Sequence, residues 1–203
     1  HASLAVAADV TVSVGRIVGS NEGCALALGD GSRFEFVVYE GGDRTLPAAV
    51  TGTGTLVKIG LGTLVLEEGK VASTVKLAVD CGKVDLNGTS PTFAAVTGEG
   101  EIVNSSETAS VLTVANADDA VLTAKGSANI AVVKDGAGAL QMGLPQAATN
   151  LTLAGGTVTV VSNLAYCAYT TGVVAHLDAM RRDTLEVDPT DGRVNRWRSI
   201  VGD

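Results

Sequence analysis

Eleven residues are written twice in this chain. LVKIGLGTLVL, Leu56 to Leu66, returns further on as VVKDGAGALQM, Val132 to Met142. Both read apolar-apolar-Lys-x-Gly-x-Gly-x-Leu-x-apolar. The same offset holds through Val75/Leu151 and Leu77/Leu153. After a two-residue indel, Gly82-Lys83-Val84-Asp85-Leu86 matches Gly156-Thr157-Val158-Thr159-Val160. A weaker third copy begins at Gly98-Glu99-Gly100-Glu101-Ile102, echoing Gly52-Thr53-Gly54-Thr55-Leu56. Such self-similarity marks stacked coils, in which each unit buries its apolar face only on its neighbour.

The rest of the chain fits that reading. Short apolar runs recur at close and fairly even spacing. Among them are Cys24–Leu28, Phe34–Tyr39, Leu56–Ile59, Val84–Leu86, Val111–Val114, Ile130–Val133 and Val158–Val161. Gly, Asn and Asp separate them, and no useful helix-period segment precedes residue 175. Many short strands suit either a sandwich or a parallel solenoid, and the repeat favours the solenoid. The repeated eleven residues then read as two strands and the Gly-x-Gly corner between them. Glycine supplies positive φ there and leaves room for the next backbone. Apolar side chains alternate with Thr, Lys and Gln, so alternate positions can face a narrow interior and the solvent. Coils of roughly 20 to 25 residues give about seven coils over the first 160 residues. The fold expected is all-β, with a β-solenoid and N-terminal cap over residues 1–165. A linker and the start of another domain follow over 166–203.

Composition narrows the function classes. Hydrophobic residues are 46% of the 203, enough to bury a core, yet only 3% are aromatic. Small aliphatic side chains suit stacked strand layers. The net charge of −8 repels phosphate backbones and argues against nucleic-acid binding. No apolar run approaches the roughly 18 residues of a membrane helix. Cys24, Cys81 and Cys167 are far apart in sequence and form no CxxC pair, so a zinc site is not expected. They read as three small buried hydrophobes, or as one disulfide and a spare thiol. The opening HASLAVAADV lacks a charged n-region. It reads as a mature N-terminus or as the remnant of a cleaved signal behind a tag histidine, with Ala5-Val6-Ala7 of small-x-small form.

The pattern LVKIGLGTLVL…VKLAVDCGKVDL, with its copy VVKDGAGALQM…NLTLAGGTVTV, resembles the autotransporter-associated β-strand repeat. The resemblance spans about residues 50 to 161, and GEGEIVNSSETASVLTV, Gly98 to Val114, is similar to segments preceding such repeats. It implies a right-handed parallel β-helix, secretion and a place on a bacterial surface. After residue 170 the style changes. Asp178-Ala179, Asp183-Thr184-Leu185, Asp191-Gly192-x-Val194 and Trp197 resemble the opening of a concanavalin A-like (laminin G-like) β-sandwich. That resemblance implies a truncated sandwich at the C-terminal end, whose ligand-binding residues would lie beyond Asp203.

Catalytic and metal signals are weak. The two histidines are His1, which is terminal, and His176, within the apolar run VVAHLDA, which reads as structural. No nucleophile elbow or second metal ligand accompanies His176. The Gly-x-Gly pairs lack the third glycine and following helix of a dinucleotide loop. Gly41-Gly42-Asp43 and Asp135-Gly136 are lone fragments of a calcium-repeat pattern. Glu67-Glu68 and Asp118-Asp119 read as solvated turn charges. A glycan cleft needs paired carboxylates with aromatic or Arg platforms. No Arg lies between Arg44 and Arg181, and the only aromatic between Arg44 and Asn150 is Phe93. The sequons at Asn87, Asn104 and Asn150 read as chance matches in a Thr-rich chain. No catalytic, cofactor or metal residue is assigned, and the ligand-binding residues stay open. The function expected is a non-catalytic, secreted or cell-surface stalk. Carbohydrate or a host surface would be contacted through a neighbouring domain. The alternatives are a glycan-binding or adhesin module and, less favoured, a polysaccharide-active enzyme.

Overall fold

The computed structural model describes residues 3–15, 23–122, 125–126, 129–143, 150–161, 185–187 and 194–197. Two compact units divide the chain, His1–Val161 and Ser162–Asp203. The first is a parallel β-solenoid of about seven turns.

Three sides make up this solenoid. Side one carries β1 (Ser3–Val6), β3 (Ala25–Leu28) and β6 (Ala49–Gly52), then β11 (Thr92–Phe93), β14 (Ser110–Ala115), β17 (Ile130–Asp135) and β19 (Asn150–Leu153). Side two begins with β2 (Thr11–Val14), β4 (Arg33–Val37), β7 (Thr55–Ile59), β9 (Lys76–Val79) and β12 (Ala95–Thr97). A bridge from Gly98 to Leu122 carries it into β15 (Ala120–Leu122), β18 (Ala139–Gly143) and β20 (Thr157–Val161). Side three is β5 (Asp43–Thr45), β8 (Thr63–Val65), β10 (Lys83–Asp85), β13 (Glu101–Val103) and β16 (Lys125–Gly126).

Coil length is not constant. Ser3 pairs with Ala25, Lys83 with Glu101, and Glu101 with Lys125. The second of these coils is the shortest and the third the longest. Every coil contributes one strand thickness, so seven steps rise about 35 Å.

Alternation builds the core. In β4 and β17 every second residue is buried. Identical registers then stack like on like: Phe34 on Leu56, Leu56 on Leu77, Leu77 on Val96 along side two, all fully buried. Leu64, Val84 and Ile102 do the same along side three. At about 25 cal/mol per Å2, these aliphatic columns supply the main stabilising term.

The duplicated motif is strand, corner, strand in both copies. Leu56–Leu66 covers β7, the Gly60/Gly62 corner and β8; Val132–Met142 covers the second half of β17, the Gly136/Gly138 corner and most of β18. A Cβ at Gly60 would stand 2.4 Å from the Val38 carbonyl oxygen, so the previous coil leaves no room for one.

Side one is interrupted partway along. Val50 bridges to Val71, but among the described residues no ladder joins Val71 to Thr92 in the next coil. In the second unit, β21 (Leu185–Val187) and β22 (Val194–Trp197) pair antiparallel, with Leu185 opposite Trp197 and a bulge between Glu186 and Val187.

Candidate functional site

The motif lysines depart from expectation. Alternation with Thr and Gln puts Lys among positions that can face solvent. Gln141 is exposed, but Lys58 and Lys134 are completely buried. Lys58 shares the inward phase of Leu56, and its register partners Phe36 and Val79 line the same inward column. Its four-carbon stem packs like an aliphatic residue while the ammonium reaches the corner.

There it donates to three carbonyls: Gly60 at 2.6 Å, Ile59 at 3.0 Å and, from the next coil, Cys81 at 3.1 Å. Lys134 repeats the arrangement. It donates to the carbonyls of Asp135, Gly136 (2.9 Å) and Gly155 (3.3 Å). One glycine in the next coil floors each cage: a Cβ on Gly82 or on Gly156 would lie 2.8 Å from the lysine Nζ. This is why the Lys-x-Gly-x-Gly pattern is followed by a distant glycine in both copies. An ammonium has three donors and each cage offers three acceptors. Burial pushes the Lys58 ammonium below its usual 10.5, with Cys81 acting in the opposite sense.

A second polar cluster sits at the corner from side three to side one. The Asp85 carboxylate is buried and accepts from Asn87 N (2.9 Å), Ser105 N (3.0 Å) and Ser105 Oγ (2.6 Å). Asn104 accepts from Gly88 N and donates to the carbonyls of Thr108 and Asn129. Asn129 donates back to the Ser106 carbonyl. These side chains satisfy the turns of three successive coils. Two of the sequon asparagines thus lie in this corner, Asn87 at φ 48° and Asn104 within the network. Beside it, where side one breaks, opens a cleft of about 190 Å3. Glu67, Glu68, Ser73, Thr89 and Ser90 are among its lining residues, and Glu67 faces Lys70 at 3.8 Å.

The third feature is a concavity of about 220 Å3 at the corner from side two to side three. Tyr39, Glu40, Gly42 and Arg44, with Gly15 of the preceding coil, are among the described residues that line it. Tyr39 is 73% exposed, the most exposed large apolar side chain among the described residues. The apolar run Phe34–Tyr39 predicts a strand through Tyr39. The strand instead ends at Val37, Val38 is buried, and Tyr39 turns outward. The stretch poor in Arg and aromatic residues, which argues against a glycan cleft, begins after Arg44 and so leaves this pair out.

The other candidates fall as follows. Cys24 is half-buried against the core, as a small hydrophobe would be, and Cys81 is a half-buried free thiol. Asp119 accepts from Ala139 N at 2.9 Å, so one member of the Asp118-Asp119 pair supports a corner. Asp135 accepts from Gly136 N at 2.7 Å. His1, Cys167, His176 and Asp178 lie outside the described residues, and for Trp197 only the strand is described. Among the described residues no group of three or more His, Cys, Asp or Glu is placed to hold a metal, and no helix is long and apolar enough to cross a membrane. No protein-family model matches the chain, and no curated protein or solved structure matches it.

Proposed function

We infer that the chain is a non-catalytic structural stalk within a larger secreted or cell-surface protein, similar to the autotransporter-associated repeats. It would hold a neighbouring domain, of the concanavalin A-like kind, away from a bacterial surface. That domain would make the contact with carbohydrate or a host surface. The observation that carries this reading is the caged lysine at Lys58 and again at Lys134. Each ties two adjacent coils together through a buried, three-acceptor cation. Such a tie serves stiffness along the stack, because it resists sliding of one coil over the next.

Two measurements test this. The reading frame is followed past the codon for Asp203, where a complete sandwich and an anchor or membrane barrel are expected. Antibodies against the solenoid are then applied to intact producing cells, which should be labelled. A frame that stops at Asp203, or a protein found only inside the cell, would overturn the stalk reading.

A further inference from the structure

We propose that the corner formed by Val38–Arg44 is a binding subsite for a neutral hexopyranose unit of a polysaccharide. Tyr39 is the stacking platform, and Glu40 and Arg44 are the hydroxyl readers. This goes beyond the stalk reading and does not depend on it, since it concerns the side surface of the solenoid and not its neighbours in a longer chain.

The loop is built to present an aromatic ring to solvent. Val38 N donates to the Ile59 carbonyl at 2.9 Å, and Gly62 N to the Val38 carbonyl at 2.9 Å. Thr63 N donates to the Gly42 carbonyl at 3.1 Å, and Gly42 N closes the turn on the Tyr39 carbonyl at 3.2 Å. Val38 is buried and anchors the turn from within. The backbone on both sides of Tyr39 is therefore fixed, yet the side chain stays 73% exposed. A phenol usually buries its apolar body. An exposed ring on a loop this well tied is a preorganised contact surface, with little loop entropy left to lose on binding.

The chemistry around the ring selects the ligand class. Gly42 floors the concavity: a Cβ there would meet the Tyr39 carbonyl at 3.4 Å and an Arg44 guanidinium nitrogen at 3.8 Å. The Arg44 guanidinium is steadied by its bond to the Asp43 carbonyl, 3.0 Å. Arg44 donates and Glu40 accepts, which matches a pair of sugar hydroxyls, each both donor and acceptor. The apolar C–H face of a pyranose can then lie on the Tyr39 ring. Gly15 of the preceding coil also lines the concavity, and a Cβ there would lie 3.9 Å from Tyr39 Cε2, so one edge of the ring is seated while the side chain stays largely exposed. The volume is below the roughly 300–1,000 Å3 of drug-sized sites, so it suits one ring of a longer chain. Glu40 and the chain's net charge of −8 disfavour an acidic polysaccharide.

The test uses the whole chain and four probes: cello-, manno- and galacto-hexaose as neutral oligosaccharides, and polygalacturonate as an acidic one. Tyrosine ring resonances are followed by NMR during titration to about 20 mM in sugar units, a range that captures single-subsite affinities. The expected result is saturable shifts of the Tyr39 ring with at least one neutral oligosaccharide. Tyr39→Ala should weaken binding about 10-fold or more, and Arg44→Ala about 3-fold or more. Tyr39→Phe keeps the stacking face and should bind within about 2-fold of wild type. Backbone spectra of each variant establish that the solenoid is intact. No shift with any neutral sugar, a response to polygalacturonate alone, or unchanged binding by Tyr39→Ala would each overturn the proposal.

Discussion

Lys58 and Lys134 occupy the same cage on different sides of the solenoid. Lys58 stands on side two between Phe36 and Val79, and Lys134 on side one between Val114 and Leu153. Successive coils carry the Lys58 column past Val79 and Gly98 to Leu122. Lys134 follows Leu122 in the chain and lies two sides further round. The duplicated eleven residues therefore repeat a corner and not a whole number of turns. A corner motif is portable in this way because its demands are local: a caged cation, two glycines, and a glycine floor in the next coil.

The cage makes a stability prediction. Lys58→Met keeps the stem but removes the ammonium donor from the carbonyls of Gly60 and Cys81, and from that of Ile59, which retains its bond from Val38 N. Chemical denaturation should show a loss of about 2–4 kcal/mol. A loss below about 0.5 kcal/mol would mean that the carbonyls find other donors at little cost.

Proton linkage gives the cage a pH signature. Burial holds the folded Lys58 pKa below 10.5, while the unfolded chain keeps the ordinary value. Between those two values the unfolded state binds more protons, so stability rises with pH there. The contribution is fully present above 10.5 and is lost as pH falls through the folded pKa. Lys58→Met lacks this linkage. The stability difference between wild type and variant should therefore widen as pH rises towards 10.5. A constant or shrinking difference in urea midpoints would refute the assignment.

Glycines with positive φ separate into two classes. Gly52 has φ 101°, and a Cβ there would lie 2.0 Å from the Leu28 carbonyl oxygen. Gly69 has φ 69° with nothing within 4 Å of such a Cβ. Gly69→Ala should cost only the backbone term, about 1–2 kcal/mol. Gly52→Ala adds displacement of the neighbouring coil and should cost at least about 3 kcal/mol or prevent folding. Equal thermal shifts for the two variants would show that close stacking at the corner is not limiting.

Asp85 is expected to be structural. Asp85→Ala removes the acceptor for Asn87 N, Ser105 N and Ser105 Oγ in a buried corner, and should cost about 2–3 kcal/mol. Asp85→Asn keeps one acceptor oxygen and should cost about half as much. Because this corner borders the cleft at Glu67 and Ser90, hydrogen exchange should quicken at Ser105 and its neighbours in the Ala variant. Unchanged protection there would separate the cluster from the stability of the turns.

What could be read from the linear chain is what local chemistry decides. Strands alternate because side chains at i and i+2 share a face, so Leu56, Leu64 and Leu66 announce the interior. Gly-x-Gly announces corners because its first glycine takes positive φ and the preceding coil's backbone leaves no room for a Cβ. The stacked parallel solenoid follows from the repeat. Other features needed the tertiary structure. The burial of Lys58 is invisible in the sequence because one of its acceptors, the Cys81 carbonyl, comes from another coil. The break in side one between Val71 and Thr92 arises from register between coils. The exposure of Tyr39 depends on where β4 stops, which the bonds to Ile59 and Gly62 set. The side on which each motif copy lands depends on coil lengths that differ from one coil to the next and accumulate along the stack. Local composition determines that a coil turns, but only the sum of all preceding coils determines where around the stack it has arrived.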